Sequence, residues 1–145
     1  MKRAAAEALI HAVKAWAVER TDIRAVALVG SWARGKVKPG SDLDLILLTD
    51  RATEYHRCRK WLTEIDFAKA GYRVQSSETA AYGVVWSRHV HLKPAAEVEL
   101  TFANCSWASI SPLDDGTRAI VKNGFRAIFD RDGALAELAR AVQSA

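Results

Sequence analysis

Apolar and polar positions change period several times along the chain, and each change marks an element. Over residues 4–20, Leu9, Ile10, Val13, Trp16 and Ala17 recur at helical spacing, which predicts a helix with one apolar stripe that packs on a sheet. Thr21-Asp22 ends it. The unbroken apolar run Ala25–Val29 predicts a short buried strand that stops at Gly30. From Asp42 to Leu48 the period becomes two, with Asp42 and Asp44 on one face and Leu43, Leu45 and Leu47 on the other. Thr53–Ala70 reads as a second long helix through Tyr55, Cys58, Leu62 and Ile65, widened by Trp61 and Phe67 and stopped by Gly71. Tyr72-Arg73-Val74 predicts a short strand, and the polar run 76–81 predicts a loop. Tyr82–Leu92 and Glu97–Phe102 predict a hairpin through Lys93-Pro94-Ala95-Ala96. A loop over Asn104–Pro112 follows, then a helix over Asp114–Lys122 stopped by Asn123-Gly124, and a strand over Phe125–Phe129. A last helix carries Leu135, Leu138, Ala139 and Val142 on one face. The alternation predicts an α/β or α+β fold, with a mixed β-sheet flanked by helices.

Composition narrows the class. The 145 residues suit a single domain over 1–145, half of them hydrophobic and 26% charged, as in an ordinary globular protein. No apolar run approaches the roughly 20 residues of a membrane span. Glu7, His11 and Lys14 interrupt any signal-peptide core behind Met1-Lys2-Arg3, so a cytoplasmic location is expected. The net charge of +4 suits an anionic ligand without demanding one. The densest basic run, Arg57-Cys58-Arg59-Lys60, reads as a solvated helix face rather than a nucleic-acid tract. Cys58 and Cys105 form no metal or redox motif.

The candidate chemistry lies where the first strand stops. Gly30 permits a sharp exit and close approach of a ligand, and Ser31 is placed to cap a short helix. Free N–H groups at such a turn attract phosphate oxygens. Ten residues separate Ser31 from Asp42. Antiparallel pairing of the two strands would set this turn beside Asp42 and Asp44. Two carboxylates held together repel unless a cation lies between them, which points to Mg²⁺. Arg34, one turn past Gly30-Ser31, can face a nucleotide or pair with Asp42 or Asp44 to steady the empty site; both can hold. Ser41 can hydrogen-bond its own turn or a phosphate. Lys36 and Lys38 can reach phosphates or remain in solvent. On the hairpin, His89 and His91 share a face, as do Glu97 and Glu99. A zinc site from His89, His91 and Glu99 is conceivable, but a solvated hairpin face explains His89 and Glu97 more simply. Trp107 is either buried or a stacking platform for a base, with burial the default.

Gly30-Ser31 after a strand, a gap of about ten residues, then Ser41-Asp42-Leu43-Asp44-Leu45 resembles the signature of the nucleotidyltransferase superfamily with the DNA polymerase β-type fold. The form is most similar to the small stand-alone, minimal nucleotidyltransferases. The resemblance implies a third acidic residue on a later strand, and Glu99 within Val98-Glu99-Leu100 matches best. It further implies transfer of a nucleoside monophosphate from an NTP, with ATP the default, to a hydroxyl. Asp42, Asp44 and Glu99 would be the catalytic and metal-holding residues, with two Mg²⁺ ions about 3.5–4 Å apart, or with Glu99 as general base. Gly30, Ser31, Arg34 and Ser41 would bind the nucleotide. Members of the superfamily modify aminoglycoside-type antibiotics, adenylylate a tyrosine on a helical HEPN-type toxin partner, or add nucleotides to RNA ends. The chain shows no long helical C-terminal domain, so a homodimer or a helical partner protein is expected to complete the acceptor site. RNA ranks last for want of a dense basic tract. The rival from another class is a non-catalytic nucleotide- or partner-binding module.

Overall fold

The computed structural model describes residues 1–82 and 85–144. In chain order the elements are α1 (Arg3–Val18), β1 (Ile23–Val29), α2 (Ser31–Arg34), β2 (Leu43–Thr49), α3 (Ala52–Arg57), β3 (Arg73–Tyr82), β4 (Val85–Lys93), β5 (Ala96–Ala103), α4 (Asp115–Lys122), β6 (Phe125–Asp130) and α5 (Ala134–Ser144). The strands form one six-stranded sheet in the order β3-β4-β5-β2-β1-β6. β2 and β5 run parallel and every other neighbouring pair antiparallel, so the sheet is mixed. This is an α+β architecture of the polymerase β-like kind.

Strand alternation divides the core into two layers. Leu43, Leu45 and Leu47 of β2 and Val98, Leu100 and Phe102 of β5 join Leu9, Val13 and Trp16 of α1 on one face. On the other face Ala27, Ile46, Leu48 and Ala103 pack against Leu135, Leu138 and Val142 of α5. Asp44 and Glu99 belong by parity to this second face. They lie at the end of the strands beyond the residues that α5 covers. Among the described residues no helix is long and apolar enough to cross a membrane.

Two expectations fail. Residues 53–70 are not one helix: α3 stops at Arg57, and two 3₁₀ turns, Lys60–Glu64 and Phe67–Ala70, follow. The Trp61 indole donates to the Tyr55 carbonyl at 2.9 Å, an acceptor that a continuing helix would give to residue 59. The buried Trp61, Leu62, Ile65 and Phe67 still face the core, which is why their spacing mimicked a helix. Residues 76–81 are not a loop but the middle of β3, an edge strand. Its mostly exposed side chains carry no alternation to read, and backbone pairing with β4 holds it. In the predicted strand Tyr82–Leu92, Gly83 and Val84 lie outside the described residues.

Candidate active site

Register builds the site. Val29 at the end of β1 pairs with Asp44, and Asp44 pairs with Glu99 across the parallel β2–β5 ladder. Asp42, just ahead of β2, joins them. One carboxylate oxygen from each of Asp42, Asp44 and Glu99 lies within 4.8 Å of the others. Gly30 turns the chain beside them at φ 76°, and a Cβ added there would sit 2.5 Å from Asp44 Oδ2. Only glycine lets the backbone approach the carboxylate this closely and hold that φ. The amides of Ala33 and Arg34 both donate to the Gly30 carbonyl at 3.1 Å. The amides of Ser31 and Trp32, first in α2, precede any intrahelical partner.

The carboxylates are electrostatically frustrated. Burial, then the negative charges of Glu99 and Asp42, push the Asp44 carboxyl up to about 7. Burial likewise raises Asp42, while His89 opposes and Glu99 and Glu97 add to the rise. Asp44 Oδ1 is buried with no hydrogen-bond partner among the described residues. A buried, unpartnered oxygen within a three-carboxylate set is a donor arrangement that a divalent cation satisfies, and all-oxygen ligation fits Mg²⁺.

Two cavities flank the set. The smaller, about 320 Å³, is lined by Gly30, Asp44, Glu99, Thr101, Trp107 and Ile120 among others. Trp107 is therefore half-buried and cavity-lining, between the two expected states. The larger, about 550 Å³, includes Trp32, Lys38, Ser41, His91 and Glu97 in its wall. Ser41 Oγ accepts from the Lys38 amide at 2.9 Å, so it closes its own turn. Arg34 forms no ion pair with Asp42 or Asp44 among the described residues; its Nη1 donates to the Asn123 carbonyl at 3.3 Å. Gly124 makes room for it, since a Cβ there would lie 2.5 Å from Arg34 Cγ.

The same sheet face continues outward. Glu97 and Glu99 both point to this side, but Glu97 meets the histidines: its Oε2 is 2.6 Å from His91 Nδ1 and 3.3 Å from His89 Nε2. The imagined His89–His91–Glu99 trio is thus corrected to His89–His91–Glu97: the register sets His89 opposite Glu99 and His91 opposite Glu97, but the Glu99 carboxylate joins Asp42 and Asp44 while Glu97 reaches both imidazoles. Hydrogen bonding to Glu97 and then to Glu78 raises the His91 pKa. Glu78 and Thr101 were not singled out in the sequence, and Asn123 was read only as a helix stop. The only signal for Glu78 was strand parity, hidden in the run read as a loop.

Residues 11–81 match the family described as polymerase beta, nucleotidyltransferase. The match spans β1, the Gly30-Ser31 corner and β2, and stops short of β5 and Glu99. A comparison with the curated proteins found no match. With the mixed sheet and the signature at its strand ends, this match supports the nucleotidyltransferase superfamily of the polymerase β type.

Proposed function

We propose that the chain is an Mg²⁺-dependent nucleotidyltransferase that moves a nucleoside monophosphate, AMP from ATP by default, to a hydroxyl on another molecule. The observation that carries this reading is the convergence of Asp42, Asp44 and Glu99 beside the Gly30-Ser31 corner. Ser31 and Trp32 amides bind terminal phosphate oxygens at the corner, where Gly30 leaves no side chain in the way. Asp42, Asp44 and Glu99 would hold the metal between their carboxylates. Bound there, Mg²⁺ neutralises the phosphates and polarises the α-phosphorus. Glu99 takes the acceptor hydroxyl proton as the acceptor oxygen bonds to the α-phosphorus. The bond from that phosphorus to the β-bridging oxygen breaks, and pyrophosphate leaves. Trp107 and Ile120 line the cavity against Asp44 and Glu99 and offer an apolar, stackable wall to a nucleobase. Arg34, tied to the Asn123 carbonyl, serves the phosphates once released from it.

The acceptor comes from outside the chain. A tyrosine on a helical partner protein is favoured, as in antitoxin-type minimal members; an antibiotic-like small molecule at a homodimer interface is second. RNA ranks third, since a net charge of +4 gives little phosphate neutralisation. The test is incubation with each α-labelled NTP and Mg²⁺, with candidate proteins, small molecules and RNA, and with Asp44→Asn as control. Label transfer to one acceptor class, lost in the variant, supports the reading. Nucleotide binding without transfer to any acceptor would leave a binding module.

A further inference from the structure

His89 and His91 stand two residues apart on the site face of β4, their rings stacked with centroids 4.8 Å apart and planes at 13°. The register sets Glu97 opposite His91. One ring nitrogen of each histidine and one Glu97 oxygen lie within 4.8 Å of one another. His89 Nε2 and Glu97 Oε2 are both withdrawn from solvent; His89 Nε2 has no hydrogen-bond partner among the described residues, and Glu97 Oε2 lies 2.6 Å from His91 Nδ1.

The spacing suits a zinc-class ion. Ligand atoms around tetrahedral zinc, with bonds of about 2.0–2.2 Å, stand about 3.3–3.5 Å apart. The gap from Glu97 Oε2 to His89 Nε2 is already 3.3 Å. The 2.6 Å gap to His91 Nδ1 needs a side-chain shift of under about 1 Å. His91 Nε2 lies 2.6 Å from Glu78 Oε1, so this outer carboxylate can hold the Nε2–H while a metal ion displaces the proton shared between Nδ1 and Glu97. Two imidazoles and one carboxylate favour zinc over Mg²⁺, which prefers oxygen. Glu97 supplies one negative charge, and Asp42 Oδ2, 3.8 Å from His89 Nε2, supplies another nearby. His91 and Glu97 also line the 550 Å³ cavity, so three protein ligands leave a position facing open space.

We infer that His89, His91 and Glu97 form a site for a zinc-class divalent ion, distinct from the Asp42–Asp44–Glu99 set and oriented by Glu78. The site does not depend on the transfer reaction, and its test reads metal content rather than turnover. Untagged protein is stripped with chelator, loaded with Zn²⁺, dialysed against excess Mg²⁺, and assayed for zinc per chain and for melting temperature. One zinc per chain is expected, with a zinc-dependent rise in melting temperature. His91→Gln and Glu97→Gln should lower zinc affinity by more than about a hundredfold, and Glu78→Gln by about tenfold, while Asp44→Asn keeps the ion. Where a variant fails to fold, Co²⁺ loading of the wild-type protein decides. Intense visible absorption of a four-coordinate, nitrogen-ligated ion supports the site; the weak spectrum of a six-coordinate oxygen set overturns it. No zinc retained against Mg²⁺, or zinc lost in Asp44→Asn and kept in His91→Gln, also overturns it.

Discussion

Asp22 and Asp44 sit at opposite ends of the same strand pair and are treated in opposite ways. Asp22 precedes Ile23, which pairs with Thr49 at the far end of β2; Asp44 pairs with Val29 at the near end. Burial raises the Asp22 pKa, but bonds from Tyr55 and Thr49 and the charge of Arg20 outweigh it, leaving the group below its ordinary value. Tyr55 donates to Asp22 Oδ2 at 2.6 Å, Thr49 donates to the same oxygen at 2.9 Å, and Arg20 Nε donates to the Tyr55 hydroxyl at 3.2 Å. Asp44 has two other carboxylates for neighbours and one buried oxygen with no partner among the described residues. One aspartate is satisfied by its neighbours, which favours stability at the far end; the other belongs to a carboxylate group that could hold a metal ion at the near end. The contrast teaches that burial alone does not set a carboxylate's state; its partners do.

Breaking the near end should cost function most. Asp44→Asn should lower nucleotidyl transfer by about a thousandfold or more, several kcal/mol of lost charge stabilisation, in a single-turnover assay. The same variant should stabilise the metal-free protein near neutral pH by about 2 kcal/mol, allowing for solvent screening, because it removes a disfavoured charge. Denaturant melts in chelator check this. Gly30→Ala should be costly at both levels, since its Cβ meets Asp44 Oδ2 at 2.5 Å and φ is 76°. About 1–3 kcal/mol of stability should go, along with Mg²⁺-dependent nucleotide affinity measured by calorimetry.

Breaking the far end should cost stability alone. Tyr55→Phe deprives Asp22 and Arg20 of their shared partner and should lower stability by about 1–2 kcal/mol, with transfer unchanged. The pH profile reads the same Asp44 cost of about 2 kcal/mol from another side, and there the two aspartates pull in opposite senses. Asp44 is raised on folding, so its metal-free contribution is most favourable below the unfolded value of 3.8 and declines as pH climbs through about 7. Asp22 is lowered on folding, so its contribution is present above 3.8 and fades as pH falls through its lower folded value. Melts in chelator should show the neutral-side decline in wild type and not in Asp44→Asn, and the acid-side loss softened in Asp22→Asn.

The near end was the more legible of the two. Period-two alternation in Asp42–Leu48 put Asp42 and Asp44 on one face; on β5 it put Glu97 and Glu99 together, and the family resemblance singled out Glu99. Pairing partners were not legible: the parallel β2–β5 register that brings Asp44 opposite Glu99 is a long-range contact with no local signature. The Asp22–Tyr55–Arg20 network was invisible for the same reason, and Tyr55 was read only as part of a helix stripe. The break after α3 depends on one indole taking one carbonyl, which no periodicity reports. Glu78 was hidden because edge-strand β3 is polar on both faces.

The central claim is that Asp44 is held ready for a divalent cation, and NMR of its side-chain carboxyl tests this most directly. The carboxyl signal is titrated in chelator and again in saturating Mg²⁺. The account predicts a midpoint at about 7 without metal, falling well into the ordinary carboxylate range or below when Mg²⁺ is bound. An ordinary midpoint in chelator, or one that Mg²⁺ leaves unmoved, would contradict it.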